Sequence, residues 1–176
     1  MITTVNRKFL LDANVFIEAK RRYYSFDICS GFWDCLLWQQ QGDRIRSIDR
    51  VKHELESGGD DLGNWATSIM PATGFASTND APVIDNFGRM VTWVQGQPQF
   101  NPEAKAEFAA KPDGWLIAYA KTYNLILVTH EIFAPDARKK VPIPNVCKEF
   151  SVDYTDTFEM LRGLGAEFHW EHPSQV

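Results

Sequence analysis

Short apolar runs alternate along this chain with longer stretches of helical spacing. "FLL" (9 to 11), "IRSI" (45 to 48) and "LILVT" (125 to 129) have the length and content of strands, and a further edge strand is expected within "VPIPNVCKEFSV" (141 to 152). Between them, apolar residues recur at helical intervals over about 14 to 20, 30 to 41, 49 to 57, 61 to 70, 82 to 95, 102 to 109 and 113 to 123. "TDTFEMLRGL" (155 to 164) predicts a closing helix. Strands separated by whole helices require crossover connections, hence parallel pairing and a sheet covered on both faces. The pattern predicts a three-layer α/β/α sandwich around a central, mostly parallel sheet. "PATGFASTNDAP" (71 to 82) and "GQPQFNP" (96 to 102) read as loops from their Pro, Gly, Ser and Asn content.

Composition narrows the class. With 176 residues, 44% of them hydrophobic, the chain suits one domain with a sizeable core, about 8 to 165, followed by a tail from 166 to 176. The tail "EFHWEHPSQV" carries His169, Glu171 and His172, which could mimic metal ligands, but it reads better as a frayed or tag-like terminus. No apolar run reaches the roughly 18 residues of a membrane span, and "MITTVNRKF" lacks a signal core, so the expected location is cytoplasmic. Cys29, Cys35 and Cys147 are odd in number and form no Cys-x-x-Cys pair, against both a disulfide framework and a zinc site. A net charge of −5 disfavours coating of nucleic acid by bulk electrostatics, while leaving room for a local basic track or a metal ion beside an acidic site.

In open parallel sheets, ligands sit beyond the carboxyl ends of the strands, which directs attention to the acids there. Asp12 follows "FLL" directly. Glu54 lies in "SIDRVKHELE", on a helix whose Val51 and Leu55 turn to the core. Asp113 stands between Pro112 and Gly114 at the start of a helix, and Glu131 follows Thr129 by two residues in "LILVTHE". Each has an ordinary explanation. Asp12 suits a helix N-cap or an Asx turn, Glu54 an ion pair with Arg50 on a solvated face, Asp113 the helix dipole, and Glu131 a loop acid no more distinctive than Asp136. The ordinary roles leave the set unexplained. Four carboxylates converging on one edge need a cation among them, and oxygen donors without soft ligands select Mg²⁺ or Mn²⁺ over zinc. Such ions bring phosphates, and with them metal-activated attack of water on a phosphodiester.

In order and spacing, "LLDANVFIEA", "VKHEL", "PDGWLIAYAK" and "LVTHE" resemble the four acidic motifs of the PIN domain nucleases, in particular stand-alone prokaryotic members related to VapC toxins. The resemblance runs from about residue 8 to 165. It implies catalytic, metal-binding roles for Asp12, Glu54, Asp113 and Glu131, with Asn14 and Thr129 in support. It further implies a Mg²⁺- or Mn²⁺-dependent endoribonuclease, a homodimer, and a toxin neutralised by a cognate antitoxin. The fourth motif departs from the usual Thr-x-Asp by placing Glu131, one methylene longer, where aspartate is commoner.

"AKRRYY" (19 to 24) offers Lys20, Arg21, Arg22 and Tyr23 as an RNA-binding track, basic side chains for phosphates and tyrosines for unpaired bases. A solvated charged surface explains the same residues equally well, and is the better account of "ARKK" (137 to 140). The six tryptophans read as core and interface filler. Three other functions compete. A phosphatase acting through an aspartyl-phosphate on Asp12 would want a second acid where Asn14 stands. A receiver-like module would be shorter and carry an acidic pair before its acceptor strand. A PIN-fold binding or scaffold protein without activity is favoured only by Glu131.

Overall fold

The computed structural model describes residues 7–172. Five strands form one parallel sheet in the order β3-β2-β1-β4-β5: β1 Phe9–Leu11, β2 Ile45–Ile48, β3 Phe75–Ala76, β4 Ile126–Val128 and β5 Tyr154–Thr155. All four pairings are parallel, with Leu10 opposite Arg46 on one side and Leu127 on the other. Central β1 and β4 are buried throughout, as strands covered on both faces must be. Helices α1 (Ala13–Glu18), α2 (Ser30–Gln41), α3 (Asp49–Ser57), α4 (Asp61–Ser68), α5 (Ala81–Gly96), α6 (Pro102–Ala110), α7 (Pro112–Tyr123), α8 (Ile143–Phe150) and α9 (Thr157–Leu164) make the crossovers and outer layers. The expected three-layer α/β/α sandwich is what forms. Among the described residues no helix is long and apolar enough to cross a membrane.

Two sheet edges differ from the sequence pattern. The edge strand expected within 141 to 152 is instead α8, and pairing with β4 falls to Tyr154–Thr155. Pro142 precedes α8 and Pro144 lies in its first turn, where a missing N–H costs nothing. Ile143, Val146 and Cys147 then share a buried face, a period-3.6 pattern that "VPIPNV" disguises as alternation. On the other edge, the stretch expected to be a loop contains β3, two residues long and paired to β2 at Ser47 and Ile48.

One contiguous buried cluster runs from Phe9 to Leu161. Of the tryptophans expected as core and interface filler, Trp33 and Trp65 belong to it, while Trp38 and Trp170 are each 72% exposed and lie outside the core. The tail is less frayed than its composition suggests: Phe168 packs on the rings of Tyr24 and Phe32 at 5.7 and 6.4 Å. Positions 173 to 176 of the expected tail lie outside the described residues.

Candidate active site

Asp12 is the residue at which β1 stops and α1 starts. Its N–H donates to the Val128 carbonyl at 3.0 Å, fixing it to the end of β4, and its carbonyl accepts from Val15 N–H at 3.1 Å as the first helical bond. Its backbone occupies the N-cap position, yet the side chain makes no capping hydrogen bond. The carboxylate is 3% exposed and turned to Thr129, whose hydroxyl donates to Oδ2 at 3.1 Å. The same hydroxyl accepts from the Glu131 N–H at 3.2 Å, so one threonine ties the first acid to the loop carrying the fourth.

Burial pushes the Asp12 carboxyl up to about 7, aided by the charges of Asp113, Glu131 and Glu54 and opposed by the Thr129 hydrogen bond. Asp113, half-buried in the first turn of α7, is pushed up to about 6 by burial, then by Glu131 and Glu54, with Lys140 and Lys111 pulling the other way. Four acids distant in sequence therefore share one electrostatic field at the carboxyl edge of the sheet. Their exposures differ: Asp12 is buried, Asp113 and Glu131 are intermediate, and Glu54 faces solvent on α3.

Glu131 has two specific partners. Oε2 accepts from Ile143 N–H at 2.8 Å, at the start of α8, and Oε1 forms an ion pair with Lys140. The longer glutamate thus reaches a helix N-terminus, where backbone donors and dipole favour a carboxylate. Asp136 is exposed in the loop that follows, whereas the charge of Glu131 helps raise both Asp12 and Asp113.

A family model described as a domain of unknown function (DUF4411) matches residues 9–168. The chain belongs to that family. No curated protein matches the sequence. Among solved structures, the DUF4411 chain is similar to the crystal structure of VapBC2 from Rickettsia felis bound to a DNA fragment from their promoter. The TM-score is 0.52 at 15% identity, covering 84% of this chain and 97% of that one. At such identity the likeness is one of fold, and it agrees with a PIN-like arrangement of sheet and helices.

The remaining candidates of the DUF4411 chain are distributed unevenly. Asn14 is exposed on the first turn of α1. Lys20 lies in a π-helical turn, Ala19–Tyr23, and its ammonium is held by Asp60 and Asp61; Arg22 pairs with Glu18 at 2.6 Å. Two of the three expected phosphate-binding cations are thus already matched by carboxylates, while Arg21 and Tyr23 face solvent. The ion pair expected between Arg50 and Glu54 is replaced by other contacts: Arg50 donates to Thr78 Oγ1 at 3.0 Å and lies over the Trp115 ring at 3.9 Å. Lys140, expected to be mere solvated surface, turns back onto Glu131. Its position right after the fourth motif was the only signal. In the tail, His169 Nε2 lies 3.4 Å from Glu167.

As for a metal, the donor set is all carboxylate, which suits a hard divalent ion, and the raised acids show the charge that such an ion would relieve. Among the described residues, however, no three His, Cys, Asp or Glu side chains stand close enough together to hold one as they lie. Glu131 is at present engaged by Lys140 and the α8 amide.

Proposed function

We propose that this chain is a Mg²⁺- or Mn²⁺-dependent endoribonuclease of PIN type that hydrolyses RNA phosphodiester bonds. It would act in the cytoplasm as the toxin of a type II toxin-antitoxin pair. The observation that carries the reading is a buried carboxylate, Asp12, held at a strand end in the combined field of Asp113, Glu131 and Glu54. A carboxyl buried beside further acids is costly to ionise, and perturbed carboxyls gathered at one strand edge point to a functional site.

In this reading Asp12, Glu54, Asp113 and Glu131 hold the ion, which when bound supplies Lewis-acid activation of water and charge relief at the leaving oxygen. The chain's own work is positional. Thr129 fixes the rotamer of Asp12 and the entry of the Glu131 loop, α7 presents Asp113 from its first turn, and Lys140 with the α8 amide restrains Glu131. Likeness in fold to VapBC2 supports an antitoxin as partner, and a homodimer is part of the same proposal.

A second reading, a PIN-fold binding protein without activity, draws support from the Lys140–Glu131 pair, which places a cation of the chain where a ligand acid is needed. Incubation of mixed single-stranded RNA with the protein in EDTA, Mg²⁺ or Mn²⁺, beside an Asp12→Asn variant, separates the two. Metal-dependent cleavage lost in the variant supports the nuclease. Cleavage that ignores metal or survives the substitution overturns it, and silence with both ions favours the binder.

A further inference from the structure

A cavity of about 410 Å³ opens directly beside the acid cluster and shares Thr129 and Glu131 with it. Thr155 and Asp156 line it too, but most of its wall is unlike the acid site: beside His130, the side chains of Ile132, Phe133, Tyr154 and Phe158 keep between 39% and 79% of their surface exposed. Tyr23, 63% exposed, extends this wall with its ring 6.1 Å from Phe158 and nearly perpendicular to it. Large side chains left in water at this density mark a binding surface. His130 is held in place by Thr157, whose hydroxyl lies 3.0 Å from Nε2. One cation borders the groove: Lys148 Nζ lies 4.4 Å from the centre of the Phe133 ring, while nearby Lys140 is paired with Glu131.

The geometry points to this cavity as a subsite for an unpaired nucleobase of single-stranded RNA, stacked against Phe158 and Tyr23 with a flanking phosphate facing Lys148. The inference rests on the nuclease reading and names its substrate class. Position decides between occupants. A purely apolar protein segment would use the aromatics but gain nothing from the adjoining acid cluster, which shares Thr129 and Glu131 with the cavity, whereas an RNA strand that stacks a base here carries its backbone to those acids. A duplex keeps its bases stacked on each other and presents none to the cavity, so the site selects unpaired strand.

Binding can be read apart from cleavage. In an Asp113→Asn background with Mg²⁺, fluorescence anisotropy is measured for a labelled RNA of about ten nucleotides, single-stranded or as duplex, a length within the usual footprint of such surfaces. Single strand should bind more tightly than duplex. Phe158→Ala should weaken it roughly tenfold, within the range for loss of one base-stacking contact, Tyr23→Ala should weaken it less, and Phe158→Tyr should restore it. Thermal melts check that each variant is folded, and the tyrosine variant keeps the test valid if the alanine one is not. Equal affinity for duplex, or full affinity in both Phe158→Ala and Tyr23→Ala, overturns the subsite. So does failure of both RNAs to bind, the result expected if the cavity seats an apolar side chain of a protein partner. Cleavage by the unsubstituted protein together with pocket-independent binding sinks the subsite alone. Pocket-dependent binding without cleavage in Mg²⁺ or Mn²⁺ sinks the nuclease reading alone.

Discussion

The hydroxyl of Thr129 donates to Oδ2 of Asp12 at 3.1 Å, joining two residues 117 positions apart that end the adjacent strands β4 and β1. Parallel pairing makes this possible, because it brings the carboxyl ends of neighbouring strands to one edge. The bond also opposes the dominant tendency of the site, since a donor to the charged form works against burial and three neighbouring carboxylates.

Replacing that donor tests its part in the site. Thr129→Val keeps the shape and removes the hydroxyl, leaving a buried carboxyl without its donor and the Glu131 amide without its acceptor. Stability should fall by about 1–3 kcal/mol. Cleavage should fall roughly tenfold, equivalent to about 1.4 kcal/mol in the barrier. Denaturant unfolding and initial rates measure the two, and a variant with unaltered rate would leave Thr129 a structural residue only.

The raised carboxyls fix the sign of the pH dependence without metal. The folded chain holds a proton on Asp12 up to about pH 7 and on Asp113 up to about pH 6, whereas the unfolded chain releases both near the ordinary aspartate value. Between those limits the folded state binds more protons, so stability falls as pH rises through this window. Melting in EDTA should therefore occur at a higher temperature at pH 5 than at pH 8. Asp12→Asn should flatten most of the difference, worth a few kcal/mol for a group so buried. A protein equally stable at both pH values would show that neither carboxyl is raised by its burial and its neighbours.

Mn²⁺ should reverse that trend, because an ion competes with protons for the same oxygens. At a hundredfold excess over its dissociation constant it should stabilise the fold by about 2.7 kcal/mol, with more effect at pH 8 than at pH 6. Differential scanning fluorimetry with and without the ion reads this directly. Asp12→Asn or Asp113→Asn should remove most of the gain, and an equal gain in the variants would place the ion elsewhere.

Much of this was legible in the chain because local pattern and tertiary role agree. "FLL" and "LILV" are buried on both faces, so they read as unbroken apolar runs, "IRSI" keeps isoleucine at both ends of a largely buried strand, and the acids that follow them fall on the ligand-binding edge by topology alone. Edge elements were harder. Phe75–Ala76 is too short to show a period, and its pairing to β2 is a tertiary event. Pro142 and Pro144 argue against a strand only when the burial of Ile143, Val146 and Cys147 on one face is known. Side-chain partners were least legible. Lys20 looked available for phosphates until Asp60 and Asp61 were folded against it, and Lys140 looked solvated until the loop from Glu131 returned it to the site.

Lys140 acts as a counter-ion supplied by the chain itself. Lys140→Met keeps the stem and removes the charge, freeing Glu131 from one of its two partners and raising the local negative charge. Metal-free stability should drop by no more than about 1 kcal/mol, as expected of a pair whose lysine is half exposed. The gain in melting temperature on adding Mn²⁺ should exceed that of the unsubstituted protein, and an unchanged gain would mean that Lys140 does not compete with the ion.

Gly114 is where packing and chemistry meet most tightly. It follows Asp113 in the first turn of α7, and a Cβ there would lie 2.8 Å from Phe87 and 3.0 Å from Phe108. Phe87 is stacked on Trp115 at 3.9 Å, and Trp115 is covered on its own face by Arg50, while Phe108 is buried. In an unconstrained helix, alanine would be more favourable than glycine by about 1 kcal/mol. Here overpacking, worth about 1–3 kcal/mol, should win and make Gly114→Ala net destabilising. Because the relief of that clash is to shift the first turn of α7, Asp113 should move with it. The Mn²⁺-induced rise in melting temperature should then shrink even though no acid was touched. A Gly114→Ala protein more stable than the parent, with the full metal response, would show that the aromatic wall behind Asp113 is softer than its packing implies.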